Sequence, residues 1–379
     1  MMKALEVDGA LGHDPSQKVT QEMLREKKDH MEEVVPLQDL IAPLDSMPPV
    51  EFAFAYGSGV FAQSRHARGS STDAPMVDYI LGVSSPADWH SKNLDKNPHH
   101  YASWLSWFGG RAGHAQMSNV AESMGAGVHF NAFVPWKTKK IKYGVISVDN
   151  LVKDVYTWQR LYIGGRLQKP VRLLVDRIHG EEMNRKNLQA ALTAALLLLP
   201  TEFTEWCLQE DLYATICGLS YMGDVRMLFA EDRHKVRKIV QGSSTRFHEL
   251  YRDSINTYAS REILHSPPQF SPDLKARFKQ ANRISTKYEL LSSLPACVMQ
   301  RLARQTGTQY DSSVLANMAI AEAVVNSKEG HTKLVTRAVS SIVRTSSFRQ
   351  VLSGVLAAGG VNTVRYVGRK IAKAWQSRQ

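Results

Sequence analysis

The chain has 379 residues, 43% of them hydrophobic and 22% charged, with a net charge of +11. That length holds two or three domains with a sizeable core, and the balance is that of a globular protein. The longest apolar run, Ala190–Leu199, interrupted by Thr193, falls short of the roughly 20 residues that span a bilayer, and Cys207, Cys217 and Cys297 lack metal-ligand spacing and are too few for a disulfide framework.

The thiols therefore read as buried groups in a reducing compartment. Residues 1–49 mix charges, as in "REKKDHMEE", with little periodicity, and read as a short helix plus disorder. No secretory signal opens the chain, and Glu6, Asp8 and Asp14 make its start a poor transit peptide. Residues 51–85 read as strand, tight turn, loop and strand, with "HARGSSTDAP" as a turn-rich connection. Residues 88–110 suggest a helix with aromatic flanks, 125–136 and 139–148 two strands, 148–167 a helix ending at Gly164-Gly165, and 169–176 a further strand. We take 50–180 as a mixed α/β domain of about four strands, and 181–255 as a helical or winged-helix-like domain. There the Ala/Leu-rich helix 184–199 is stopped by Pro200. The Ser-Pro pairs at 266–268 and 271–272 suggest a linker leading into helices (256–330). The last stretch, 331–379, is basic, with nine Lys or Arg and no acid, so most of the net charge sits in one local attachment surface.

The first apolar run breaks at Gly57-Ser58-Gly59, and the second, "PMVDYILGV", carries one carboxylate, Asp78. Glycines let a backbone approach a phosphate, a serine between them adds a hydroxyl donor, and a carboxylate on the next strand can hold Mg²⁺ against the same phosphates. An ordinary hairpin uses the same triplet. Polymerase-β-like nucleotidyltransferases place two acids two residues apart on that next strand, and here the second position is Ile80. On these residues alone, hairpin and nucleotide site stay open. His90, Asn93, His99, His100 and Tyr101 form a polar cluster without the ligand spacing of a zinc site. It reads as part of a helix lining a cleft, with Asn93 or His100 touching a ligand. Asp224 and Arg226 read as an interface pair or a plain ion pair. No G-x-S-x-G and no activated cysteine supports a protein nucleophile.

The ordered motifs "EFAFAYGSGVF", "PMVDYILGV", "DWHSKNLDKNPHHYASWL", "IKYGVISVDNL", "LYIGGRLQKPV", "NLQAALTAALLLLP" and "LSYMGDVRM" closely resemble the translocator assembly and maintenance family of mitochondrial phosphatidate cytidylyltransferases. The likeness runs from about Val50 to Trp375. It implies an α+β fold, in which a polymerase-β-like nucleotidyltransferase domain is followed by a helical winged-helix-like domain and a C-terminal amphipathic helical region. It also implies CTP and phosphatidic acid as substrates, Mg²⁺ as cofactor, and a peripheral place on the matrix side of the mitochondrial inner membrane. By this resemblance Tyr56, Gly57, Ser58 and Gly59 cradle the triphosphate, Asp78 binds metal, and Lys142, Arg166 and Lys169 meet phosphates. The single acid of "DYI" matches the family's own pattern. A second carboxylate would come from Asp73, Asp149 or Asp176, and Asp149 equally suits a helix cap.

In the tail, Val361, Val364, Val367, Ile371 and Trp375 fall on one side of a helix and Arg365, Arg369, Lys370 and Lys373 on the other. Such a basic amphipathic helix suits an anionic membrane surface, or a place on the protein's own core. Two other functions fit parts of the pattern. An RNA-tailing nucleotidyltransferase would use the tail on RNA, but the tail offers few stacking aromatics and the paired acids are missing; no nucleic acid is expected. A non-catalytic membrane-associated assembly factor would make Asp78 structural.

Overall fold

The computed structural model describes residues 35–61, 76–101, 127–199, 207–229, 234–265 and 277–351. The readings of residues 1–34, of Asp73, of the Ser-Pro pairs and of the tail residues Arg365, Arg369, Lys370, Lys373 and Trp375 lie outside these. In chain order, α1 (Leu37–Asp45) precedes β1 (Phe52–Tyr56), β2 (Val77–Val83), α2 (Pro86–Lys96), β3 (His129–Trp136) and β4 (Lys139–Ser147). Then come α3 (Val148–Thr157), α4 (Ile163–Leu167), β5 (Arg172–Asp176) and α5 (Gly180–Leu198). The remainder holds β6 (Cys207–Leu208), α6 (Gln209–Gly218), α7 (Arg226–Phe229), α8 (Lys235–Gln241) and α9 (Ser244–Ser260). It closes with β7 (Leu264–His265), β8 (Arg277–Gln280), α10 (Ile284–Ser292), α11 (Ala296–Thr306), α12 (Val314–Val325) and α13, helical over 331–351.

A mixed sheet in the order β3-β4-β2-β1-β5 is the centre of the first half. Only β2 and β4 pair in parallel. It has five strands, one for each strand segment named in the sequence although the total expected there is about four, and the run Arg172–Asp176 pairs with β1 as an edge. Period-two alternation sorts the side chains. Ala53, Ala55, Tyr79, Leu81, Tyr143 and Val145 face α1 and Trp89 of α2. Phe52, Phe54, Ile80 and Ile146 face the other way, onto Leu151 and Val155 of α3, Ile163 of α4 and Met183 of α5. A third cluster joins Trp158 and α5 to the helices of the second half, as far as Val343 of α13. There β6, β8 and β7 form a small antiparallel sheet.

Local signals set the helix ends. Ser85 caps α2 by accepting from the Asp88 N–H, with Pro86 in the first turn. Ser147 caps α3 through the Asn150 N–H. The 148–167 segment is two helices, not the single one expected. Trp158, at φ 58, ends α3 in the left-handed region, and Gly164-Gly165 lie inside α4.

The polar cluster around His90 sits on the α2 face of the sheet. Asn93 donates to the Tyr143 hydroxyl at 2.9 Å and Asn131 donates to it at 2.7 Å. That leaves the Tyr143 proton for His100 Nδ1 at 3.1 Å. Burial pushes His100 down to about 4, with the charge of His99 adding to it, so its imidazole is neutral and able to accept. Asn93 also donates to Tyr101, which contacts His90. This is a buried network fastening α2 to β3 and β4. Tyr143→Phe leaves the amides of Asn93 and Asn131 short of an acceptor. It should lower stability by about 1–3 kcal/mol in denaturant titration, while ligand binding on the opposite face stays at its wild-type level.

Candidate active site

The apolar alternation of the second face ends in polar groups at one end of the sheet. Tyr56 closes β1 and is paired with Asp78 of β2. Asp78 is in turn paired with Lys142 of β4. All three share the face of Phe54 and Ile80. The Lys142 ammonium lies 3.4 Å from Asp78 Oδ1, both side chains about a quarter exposed, and 4.5 Å from the centre of the Phe130 ring. Ile80, one pleat inward from Asp78, is only 1% exposed and belongs to the core.

The Gly-Ser-Gly turn follows directly. Gly57 has φ 89, and a Cβ there would come within 3.3 Å of Asp78 Oδ2. A Cβ on Gly59 would meet the Met76 carbonyl at 2.5 Å. Side chains at either position would push the turn off the neighbouring strand. The Gly57 carbonyl accepts from Val60 and Phe61, which leaves Ser58 exposed at the apex. Arg246 of α9 stacks on Phe61 at 4.2 Å, tying the second half to this turn.

From the other side α4 brings Arg166. Its guanidinium lies 4.6 Å over the Tyr56 ring, and Nη2 donates to the Pro170 carbonyl at 2.9 Å. Burial, then Asp78 and Tyr162, raises the Tyr56 phenol well above its ordinary value, against Arg166, so it stays protonated. Lys169 is different. It is 2% exposed, and its ammonium donates to the Gly165 carbonyl and, at 2.7 Å, to Ser220 Oγ. It lies 5.1 Å from the Tyr221 ring, which Lys235 also approaches at 5.3 Å. Burial lowers Lys169 to about 7, with Arg166 and Lys235 acting the same way and Cys217 opposing. The structure thus gathers Tyr56, Gly57, Ser58, Gly59, Asp78, Lys142 and Arg166 at one end of the sheet. It sets Lys169 beneath them as a support for the Arg166 turn.

Of the candidate second carboxylates, the two that are described, Asp149 and Asp176, do not join them. Asp176 is opposite Phe52, four residues along β1 from Tyr56 and about 13 Å away by strand rise. Its carboxylate caps α5 through the N–H groups of Gly180 and Glu181 at 2.7 and 3.0 Å. Asp149 follows Ser147, which is opposite Val83 at the far end of β2, and lies in the first turn of α3. Among the described residues no group of three His, Cys, Asp or Glu side chains is placed to hold a metal. Asp78 alone still fits Mg²⁺ as an anchor, because that ion keeps several waters and takes one or two carboxylates plus substrate phosphates.

Asp224 and Arg226 lie elsewhere. The buried Asp224 carboxylate takes the Arg226 guanidinium at 2.6 and 3.0 Å, and the Val225 N–H donates to Ser347 of α13. The pair supports the packing of α13. One contributor was not read from the sequence, Asp154. Its carboxylate organises the segment that carries Arg166. An acid in the last turn of a helix opposes the helix dipole, and that was its available signal.

A sequence profile described as mitochondrial phosphatidate cytidylyltransferase matches residues 37–373. The Danio rerio protein of that name is 35% identical over 329 residues, 86% of this chain and 90% of its own length. The Mus musculus protein is 35% identical over 332 residues, 86% and 91% of the two chains. The Schizosaccharomyces pombe protein is 33% identical over 340 residues, 87% and 81%. A nucleotidyltransferase-like protein from Exiguobacterium sibiricum aligns over 89% of this chain and 87% of its own, at 8% identity and a TM-score of 0.22, too low to carry an argument.

Lys169 gives a pH signature. Its folded value is about 7 against 10.5 for the free side chain. Below 7 both states hold the proton; between the two values only the unfolded chain does, so stability rises with pH across that window. The thermal midpoint of the wild type should gain on that of Lys169→Met between pH 6.5 and 9, by on the order of 2 kcal/mol in stability. A flat difference would contradict the burial of this amine.

Proposed function

Since the chain belongs to the mitochondrial phosphatidate cytidylyltransferase family, we propose that it joins CTP and phosphatidic acid into CDP-diacylglycerol, releasing pyrophosphate and feeding cardiolipin synthesis. The observation that carries this reading is the convergence of Asp78, Lys142 and Arg166 around the exposed Ser58 turn. An oxygen of the lipid phosphate bonds to the α-phosphorus of CTP. The bond from that phosphorus to the bridging oxygen breaks, and pyrophosphate leaves with the electron pair. The nucleophile is already an anion, so positioning and electrostatics supply the rate and no protein base is required.

Ser58 donates its hydroxyl to a phosphate oxygen at the apex of the turn. Lys142 and Arg166 place fixed positive charge where the triphosphate and the lipid phosphate meet. The Tyr56 ring holds the guanidinium plane, and Lys169 holds the backbone from which Arg166 projects. Asp78 would hold Mg²⁺, which, when bound, supplies charge neutralisation for the phosphates.

The names of the relatives support a mitochondrial place, and the matrix side of the inner membrane is our proposal. Among the described residues no helix is long and apolar enough to cross a membrane. We assign residues 50–180 to the nucleotidyltransferase domain, and read α6, α9 and the β6-β8-β7 sheet as winged-helix-like. The basic stretch with Arg365, Arg369, Lys370, Lys373 and Trp375 is assigned to an anionic membrane surface.

Purified protein with labelled CTP, Mg²⁺ and phosphatidic acid vesicles should form CDP-diacylglycerol. Asp78→Asn, with an unchanged thermal midpoint, should lower turnover on the order of 100-fold or more; wild-type turnover in that variant would remove Asp78 from the site. Deleting residues 355–379 should weaken binding to cardiolipin-containing vesicles, and unchanged binding would refute the tail assignment.

A further inference from the structure

The β3–β4 hairpin carries a surface that the site chemistry does not use. Its pairing closes at Trp136 opposite Lys139. Because Lys142 is opposite Asp78, the tip projects three residues beyond the site, about 10 Å by strand rise. From 125 to 148 the sequence holds no Asp or Glu, and Lys137, Lys139 and Lys140 stand at the tip, all exposed.

The backbone displays these side chains against its own preference. A shift in register between Asn131 and Val134 leaves Phe133 in a bulge, at φ 60 and 48% exposed. Lys137, in the turn, has φ 51. Hairpins put Gly, Asn or Asp at such positions; a phenylalanine and a lysine there are strained. Strain retained beside a site is a pointer to use. Trp136 is half-buried against the core at the base of the tip.

We propose that this hairpin tip is a prong that docks on an anionic phospholipid surface and seats the Asp78 end of the sheet against the bilayer. The proposal rests on the function above, whose substrate, phosphatidic acid, carries acyl chains that a bilayer holds. Exposed lysines attract an anionic leaflet, and aromatic rings settle at its interface. Lys140 shares the face of Lys142, two residues nearer the tip, so the basic charge runs unbroken from the lipid surface to the site. This surface is separate from the C-terminal basic stretch and acts with that stretch intact.

The test uses the full chain carrying Lys137→Glu, Lys139→Glu and Lys140→Glu together, and a second variant, Phe133→Ser. Flotation with neutral phosphatidylcholine vesicles and with vesicles containing phosphatidic acid and cardiolipin reads binding. The triple variant should bind the anionic vesicles about tenfold or more weakly at low salt, with its thermal midpoint unchanged. Phe133→Ser should weaken binding at both low and high salt. Turnover of vesicle-embedded phosphatidic acid should fall with binding, while a short-chain, monomeric phosphatidic acid is turned over at the wild-type rate. Unchanged flotation of both variants overturns the prong. An equal loss on both substrates also overturns it, by placing the lysines in the catalytic centre. A dimer that the triple variant dissolves, with vesicle binding intact, overturns it in favour of a second copy of the chain. If the wild type turns over neither substrate but the binding losses hold, the prong stands and the enzymatic reading fails.

Discussion

Five successive backbone N–H groups, from Arg160 to Gly164, converge on the carboxylate of Asp154 at 2.7 to 3.1 Å. The side chain is 3% exposed, and those donors satisfy its buried oxygens. They turn the chain back on itself after α3, through Trp158 and Leu161 at positive φ, and start α4. Asn187 of α5 extends the same constraint. It donates to the Gly164 carbonyl at 3.0 Å and accepts from Trp158 at 2.9 Å and Gln168 at 3.1 Å. Tyr251 of α9 then donates to the Gln168 carbonyl at 2.9 Å. The segment that carries Arg166 is therefore fixed to three helices before it reaches the sheet. Gly165 permits the last approach, since a Cβ there would lie 2.4 Å from that of Ser220.

What this strap presents is a concentration of positive charge. Arg166, Lys169 and Lys235 act on one another, and Lys169 relieves part of the repulsion by giving up its proton near neutral pH. Arg166 spreads its guanidinium over Tyr56. A cation cluster of this kind works against folding and in favour of a polyanion. The opposite face of the sheet shows the contrasting solution. There Tyr143, Asn93, Asn131 and a neutral His100 satisfy one another without net charge. One sheet thus separates a structural polar network from a charged one by the parity of its strands.

That parity explains what was legible in the residues. The apolar runs of β1, β2 and β4, the turn at Gly57-Ser58-Gly59 and the lone Asp78 could all be read in order, because each is a local pattern. The choice among Asp149, Asp176 and Asp73 could not. Asp149 and Asp176 sit beside strand ends in the sequence, yet pairing sends both to the end of the sheet away from Asp78, where Asp176 caps α5 and Asp149 lies in the first turn of α3. Asn93 and His100 show the same dependence on pairing. They are polar and near a strand, but their strand partner, Tyr143, points away from the site, whereas its neighbour Lys142 points into it. Asp154 makes its bonds six to ten residues ahead, beyond any helical or strand period.

Ile80 follows from the same geometry. It shares the face of Asp78 but sits opposite Phe54, in a cluster with Ile146 and Leu151. A second acid at this position would be a buried charge packed against the apolar side chains of Phe54, Ile146 and Leu151. Packing α3 and α4 against the sheet thus closes the position to an acid. The same packing places Arg166 over Tyr56. On the proposed reading, the electrostatic work at this end of the sheet falls, among the described residues, to one acid and its flanking cations. Lys142 is held by Asp78 and Phe130, and Arg166 by Tyr56 and Pro170, so each charge is already aimed before a substrate arrives. Preorganisation of this kind needs no reorganisation at the moment of reaction, and it makes strand register and the Asp154 strap conditions of the chemistry as much as of the fold.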